Sequence, residues 1–347
     1  MKKLLTMIGA AAVLPFAVSA AWSTETYTTT TNGVTWTYKV DAEAGKVLLG
    51  GSTTEVSTMV ATTTAGVLYI PSTLVHEGTT YQVTDYGYGA LRGCTKLTGV
   101  VIPETTFALN VGTTMFRAMS ACVSIWFKGP ATVTSGEQPL ADVETLTNLF
   151  WADSALRAVV VGPNVTYSAR SNSYPPFRDC SNVRAFLPKT YWYDKDITFG
   201  GTDCKQIFYG PGEDIDISID GTFTVATAER LDDVLSVAND LHTYCGMNPK
   251  INVTNVIEVA DVSITAAKLA FLDSGTFNSL VFKVTTQAQL RTLLDTIPSS
   301  VPFAIDPSDA REELTVDQGR VVYVRLSADG RQGKYMPKIN GLIISFH

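Results

Sequence analysis

The stretch that most constrains the fold is Tyr81–Pro103, because its apolar residues change period within one short segment. They recur first at every third position and then at every second: Leu91, Cys94, Leu97, Val100 and Ile102. The first spacing suits a tight turn with one buried stripe, and the second suits one face of a strand that Pro103 ends. One such unit cannot bury its apolar stripe alone. The pattern therefore predicts stacked copies, as in a solenoid.

Degraded copies of this unit follow it along the chain. They contain, in order, Phe116, Met119, Cys122, Ile125 and Phe127; Phe150, Asp153, Leu156, Val159 and Val161; Phe177, Cys180, Val183, Phe186 and Pro188; and Cys204, Ile207 and Tyr209. An earlier strand is expected at Leu68–Pro71. The equivalent strand positions are predicted to be Val100, Ile125, Val159, Phe186 and Ile207. Their uneven spacing indicates insertions on the side away from these strands.

The segment Tyr86–Cys94 resembles the BspA-like (treponemal-type) leucine-rich repeat of bacterial secreted and surface proteins. The resemblance is close over Val67–Pro103 and looser as far as Gly212. Met119 and Asp153 stand where the family has Cys. The resemblance implies a β-rich leucine-rich-repeat solenoid and a non-enzymatic role in adhesion or in contact with a host or matrix. In such a solenoid the outward strand face is the usual place for a partner.

The N-terminus predicts export. Lys2 and Lys3 precede an apolar run, Leu4–Val18, and small residues at Val18–Ala20 suit signal-peptide cleavage. We therefore expect residues 1–20 to be a signal peptide and the mature protein to be extracellular, on the cell surface or in the periplasm. No second membrane-length apolar segment follows, so no membrane span is expected in the mature chain.

Residues 21–66 are predicted to form an N-terminal β cap on the solenoid of residues 67–220. Threonine-rich alternating segments flank Asn32-Gly33, which is a hairpin signal. A further strand is expected at Lys46–Leu49, and Ser52–Gly66 is predicted to be a loop or a weak strand.

Residues 221–347 are predicted to form a separate α/β module with duplicated β-α-β-like units. Two sets of residues match in spacing: Phe223, Val225, Thr227, Leu231, Val234 and Leu235, and Phe282, Val284, Thr286, Leu290, Leu293 and Leu294. Each set indicates a strand, a threonine N-cap and an amphipathic helix. Strands are expected at Ile251–Val259 and Pro302–Ile305, a helix at Thr265–Leu272, and a final hairpin from Arg320–Leu326 to Ile339–Phe346.

Candidate chemistry is sparse. The net charge of −7 argues against nucleic-acid backbones and anionic membranes as partners. His76, His242 and His347 are scattered, and no nucleophile elbow, metalloprotease motif or phosphate loop is present. We therefore expect no catalytic residues, no cofactor and no enzyme activity.

Two groups of residues are candidates for a metal site and for disulfide bonds. Asp214, Asp216, Ser218 and Asp220 alternate with isoleucines, which suits either a calcium site or the solvated face of a strand. The solvated strand face is the preferred interpretation, so no metal is predicted. The five cysteines are expected to be buried thiols, with Cys94–Cys122 and Cys180–Cys204 as conceivable bridges between adjacent coils.

The densest aromatic cluster is Tyr191, Trp192 and Tyr193, which we take as the candidate contact site for a protein or glycan ligand. The alternative is that it packs an insertion onto the solenoid. Two other functions remain open: an enzyme or carbohydrate-processing accessory with a groove near Tyr191–Asp220, and a structural component of the cell envelope.

Overall fold

The computed structural model describes residues 21–104, 108–111, 115–128, 131–135, 150, 153–163, 165–167, 177, 180–189, 204–253, 257–258, 277–279, 281–297, 303–306, 314, 322–325, 332–336 and 343–345. The chain is rich in β-strands, and in its first two thirds it alternates between two sheets that enclose one apolar core. The predicted signal peptide, the aromatic cluster at residues 191–193 and the helix expected at Thr265–Leu272 lie outside the described residues.

The first sheet has eight strands: β1 (Tyr27–Thr31), β2 (Val34–Asp41), β3 (Lys46–Leu49), β5 (Thr73–His76), β6 (Thr79–Tyr86), β8 (Ala108–Val111), β10 (Ala131–Ser135) and β12 (Val165–Tyr167). β2 is antiparallel to both β1 and β3, and β3, β6, β8, β10 and β12 follow as a parallel series. β5 pairs with β6 in the antiparallel direction. The predicted hairpin is confirmed, since Asn32 and Gly33 both have positive φ, as a two-residue turn of this kind requires.

The second sheet has six strands, all parallel: β4 (Gly66–Tyr69), β7 (Leu97–Ile102), β9 (Ser124–Phe127), β11 (Ala158–Val161), β13 (Arg184–Pro188) and β14 (Lys205–Tyr209). Five predicted repeat residues are buried in the core between the sheets: Leu91, Cys94, Leu97, Val100 and Ile102. The change of period in the sequence therefore does mark a turn followed by a strand with one inward face.

One predicted equivalence is wrong. Val100, Ile125 and Val159 stack in register on the inner face, but the next partner is Ala185 and not Phe186. The fourth copy has one residue fewer between its turn and its strand, and a slip of one residue exchanges the two faces of a strand. Phe186 therefore points outward, where its ring lies 5.7 Å from that of Phe223. Ile207 follows Phe186 onto the outer face.

The duplicated units are confirmed where the structure describes them. In the first, β16 (Thr222–Val225) and β17 (Lys250–Val253) are parallel and flank helix α1 (Ala228–Cys245). The single strand predicted at Ile251–Val259 is wrong, because β17 ends at Val253 and Ile257–Glu258 form a strand of another sheet. In the second, β20 (Val281–Lys283) and β21 (Phe303–Asp306) are parallel and flank helix α2 (Gln287–Thr296). The side chains of Thr227 and Thr286 cap the two helices, as predicted.

The remaining strands complete two further sheets, one of four strands and one of six: β15 (Ile215–Ile217), β18 (Ile257–Glu258), β19 (Phe277–Ser279), β22 (Val322–Arg325), β23 (Gln332–Met336) and β24 (Ile343–Ser345). β22 forms its hairpin with β23, so the predicted pairing with Ile339–Phe346 is wrong. β23 intervenes, and β24 pairs with β23. β23 was not predicted from the sequence, because Gln332–Met336 lack the alternation of apolar and polar side chains that indicates a strand.

Candidate functional site

The outer face of the second sheet carries two contrasting rows of side chains. In strand order the first row is Val67, Gly99, Ser124, Ala158, Arg184 and Lys205. The neighbouring row is Tyr69, Val101, Trp126, Val160, Phe186 and Ile207. Gly99, Ser124 and Ala158 are small and lie beside a row of larger side chains. They therefore leave a shallow groove across β7, β9 and β11.

Helix α1 lies over this groove. It contacts β4, β7, β9 and β11. Its buried apolar residues have the spacing of one broad helical face: Leu231, Val234, Leu235, Val237, Ala238, Leu241 and Cys245. They form one cluster with Val101, Ala158 and Val160 of the sheet. In these strands the outer face is therefore covered by the chain itself.

The closest approach of helix and sheet is at Gly99. A Cβ atom placed there would overlap the carbonyl oxygen of Tyr244 and lie 2.5 Å from the carbonyl carbon. The thiol of Cys245 also lies beside Gly99. Its Sγ is 3.6 Å from the carbonyl oxygen of Ser124 and 3.8 Å from the carbonyl oxygen of Val100. Glycine is required at position 99 because the helix backbone occupies the space of a side chain.

Ion pairs align the helix along the sheet. Arg157 donates to Asp240 at 2.7 Å. Nearer the start of the helix, Asp233 is almost wholly buried and accepts from Arg184 at 3.2 Å and from Lys205 at 2.8 Å. The pKa of Lys205 is raised despite desolvation, because Asp233 and Glu229 accept hydrogen bonds from it. The pKa of Asp240 is raised because burial outweighs the nearby Arg157.

The end of helix α1 is fixed to the edge strand β4. The hydroxyl of Tyr69 donates to the carbonyl oxygen of Cys245 at 3.2 Å. Gly246 follows in the left-handed conformation, with φ of 60°, and its N–H donates to the oxygen of Leu241. His242 at this end contacts the oxygen of Met247 through Nδ1 at 2.9 Å.

The outer face of the first sheet differs in character. On β1 and β2 it carries threonines in cross-strand pairs, Thr28 with Thr37 and Thr30 with Thr35. The hydroxyls of Thr30 and Thr35 lie 3.0 Å apart, and both residues are exposed. The face continues across the sheet to Val75 of β5, whose side chain is 55% exposed. We call the surface formed by Thr28, Thr30, Thr35, Thr37 and Val75 the threonine face.

An aromatic cluster lies on the opposite, inward side of the same strands. The imidazole of His76 lies 4.3 Å from the ring of Tyr27, and its Nδ1 is 3.1 Å from the hydroxyl of Tyr38. Tyr81 closes the group at 6.2 Å from His76. Burial raises the pKa of Tyr38, with smaller contributions from Tyr27 and Glu77. His76 is thus part of the packing at the first strands and is far in sequence from His242.

The aspartates considered for calcium have exposed side chains. Ile215 and Ile217 are buried, whereas Asp214, Asp216 and Asp220 are exposed, as expected for the solvated face of a strand. Asp220 accepts a hydrogen bond from Ser218, and this bond, with others from Thr222, lowers its pKa. Within the described ranges no group of three or more metal-ligating side chains is assembled.

All five cysteines are free thiols in this structure, and four are buried. Burial raises the pKa of Cys94 to about 11 and the pKa values of Cys204 and Cys245 to about 12. Thiols of this kind pack as small hydrophobic groups and react slowly.

No family model matches the chain, and no curated protein matches it. Two solved structures align with it at low similarity. One is described as a leucine-rich repeat protein from Bacteroides ovatus, with 11% identity, a TM-score of 0.28, and coverage of 87% of this chain and 77% of that one. The other is a leucine-rich cell surface protein from Faecalibacterium prausnitzii, with 12% identity, a TM-score of 0.20, and coverage of 90% and 62%. Scores this low do not establish a shared fold.

Sequence reasoning missed the groove for helix α1. The repeat alignment contained its signal, since Gly99, Ser124 and Ala158 all stand one residue before an inward strand position. A run of small residues at one outward position indicates close packing by another backbone. Within the described residues, neither helix combines the length and hydropathy of a membrane span.

Proposed function

We propose that this chain is an exported, non-enzymatic interaction protein of the leucine-rich-repeat solenoid type. In this proposal the hairpin of β1 and β2 closes the first coil, and the threonine face contacts a protein or glycan partner. The observation that carries the proposal is the unequal covering of the two sheets. Helix α1 occupies the outer face of β7, β9 and β11, whereas the threonine face is exposed.

The chemistry of the threonine face supports a neutral, hydrogen-bonding partner. Threonine hydroxyls both donate and accept hydrogen bonds, and strand pairing holds them at fixed spacing. The five residues that define the face are uncharged, whereas Lys39 of β2 and Lys46 of β3 place two cations on the same side of the sheet. Non-catalytic function is supported by the inert state of the described thiols and by the exposed, unclustered aspartates around β15.

Localisation is tested by protease treatment of intact cells, with a periplasmic protein as the marker for cell integrity. Cleavage of the mature chain while the marker survives supports surface exposure. Protection of the chain and its release with the periplasmic contents would contradict the surface role.

Ligand binding is tested on panels of glycans and matrix proteins with the purified mature chain. The test variant carries Thr28→Val, Thr30→Val, Thr35→Val and Thr37→Val, which removes the hydroxyls and retains strand-forming shape. The matched control carries Thr62→Val and Thr63→Val in the exposed loop before β4. Loss of binding in the test variant alone supports the threonine face. Equal binding by both variants would place the contact elsewhere.

A further inference from the structure

A buried acidic residue lies in the core between the two sheets. Asp153 has no exposed surface and follows Phe150, whose ring stacks between those of Phe116 and Phe177 at 5.2 Å and 4.8 Å. Its Oδ1 accepts the amide N–H of Met119 at 2.7 Å, and among the described residues its Oδ2 has no hydrogen-bond partner. A carboxylate in such a place is unfavourable unless it is protonated or paired.

The position of Asp153 explains why an acid is retained there. Ala118, in the preceding turn, has φ of 61°, and the equivalent residue one repeat earlier is Gly93 with φ of 75°. An alanine in this left-handed conformation is strained, whereas a glycine is not. Asp153 accepts the amide N–H of Met119, the residue that follows Ala118, and so holds this strained turn in place.

We propose that Asp153 is a pH-sensitive clip, which in its neutral form fastens the turn at Asp153–Leu156 to the turn at Met115–Met119 and which loosens this part of the core when it ionises. The clip joins two successive copies of the repeat across their turns. It is a property of the core and does not depend on the ligand-binding proposal.

The electrostatic surroundings agree with this role. Burial raises the pKa of Asp153 to about 8, although the backbone amides of Met119 and Ala118 lower it. Among the described residues, the titratable group that interacts with it is the thiol of Cys122. Burial raises the pKa of that thiol well above its ordinary value, so the thiol is also neutral near pH 8. No described cation compensates a charge on Asp153.

The sign of the pH effect follows from linkage. The unfolded chain has the ordinary aspartate pKa of 3.8, and the folded chain holds the proton up to about pH 8. Between these values the folded state binds more protons, so the stability contributed by neutral Asp153 is full below the lower pKa and is lost as the pH rises. A carboxylate paired with a cation has a lowered pKa in the folded state, so the stability that it contributes is lost as the pH falls.

The test compares the wild-type chain with Asp153→Asn, an uncharged mimic of the protonated acid, and with Asp216→Asn on the exposed face of β15 as the control. Urea unfolding is measured between about pH 5 and about pH 8. For the wild type and the control, the unfolding constant should rise roughly tenfold per pH unit relative to Asp153→Asn. Parallel profiles for all three chains would overturn the proposal.

A second measurement does not need the variant to fold. Aspartate carboxyl carbons are labelled with ¹³C in the wild-type chain and followed by NMR during a pH titration. We expect one carboxyl signal to titrate near pH 8, together with loss of hydrogen-exchange protection at the amide of Met119. If every aspartate signal titrates near its ordinary pKa, Asp153 is not a clip.

Discussion

Replacement of Gly99 by alanine should displace helix α1 from the second sheet. The added Cβ would overlap the Tyr244 carbonyl oxygen and lie 2.5 Å from its carbon, where an ordinary contact needs about 3.5 Å. The obstacle is helix backbone, which cannot rotate away as a side chain could. The end of the helix would therefore move by more than about 1 Å, and the hydrogen bond from Tyr69 to the Cys245 oxygen would be lost.

The expected loss of stability is about 3 kcal/mol, at the upper end of the range for overpacking, because both close atoms belong to backbone. The assay is equilibrium urea unfolding combined with hydrogen exchange of the α1 amides. The matched control is Ser124→Ala in the same row, which puts a methyl group under the same helix. The Ser124 hydroxyl is buried without a partner, so its removal should leave stability unchanged or raise it by about 1 kcal/mol. Wild-type stability and α1 protection in Gly99→Ala would refute the reasoning.

Three further outcomes are expected. Asp233→Ala should lower the free energy of unfolding by about 2 kcal/mol, and Asp240→Ala by about 1 kcal/mol or less. Asp233 is the more buried acid and pairs with three cations, Arg184, Lys205 and Arg230, whereas Asp240 pairs with Arg157. Equal urea midpoints would contradict this order. Gly33→Ala should cost about 1 kcal/mol in thermal unfolding through its φ of 77° alone, since nothing lies within 4 Å of the added Cβ; an unchanged Tm would be inconsistent with the turn. A thiol reagent should react slowly with the folded chain near pH 8, and after denaturation it should label all five cysteines. Fewer than five labelled cysteines in the denatured chain would reveal a disulfide.

Local signals in the sequence determined the elements of this protein. Asn32-Gly33 specified the first hairpin, and the threonine caps at Thr227 and Thr286 marked the starts of both helices. The change of period at Leu97 marked the passage from turn to strand. These features rest on hydrogen bonds and steric limits within a few residues, so neighbouring residues are sufficient to reveal them.

The tertiary structure alone decided which surfaces remain open. Helix α1 and the row of Gly99, Ser124 and Ala158 are far apart in sequence, and their fit appears only when the strands are in register. The side of the sheet on which Phe186 lies was decided by a one-residue shift in strand register. Asp153 occupied a position of the repeat where the pattern expected cysteine, and its role required the strained backbone of Ala118 beside it. Each of these features joins distant parts of the chain. The repeat alignment shows the row of small residues, but only the tertiary structure identifies the helix that packs against it.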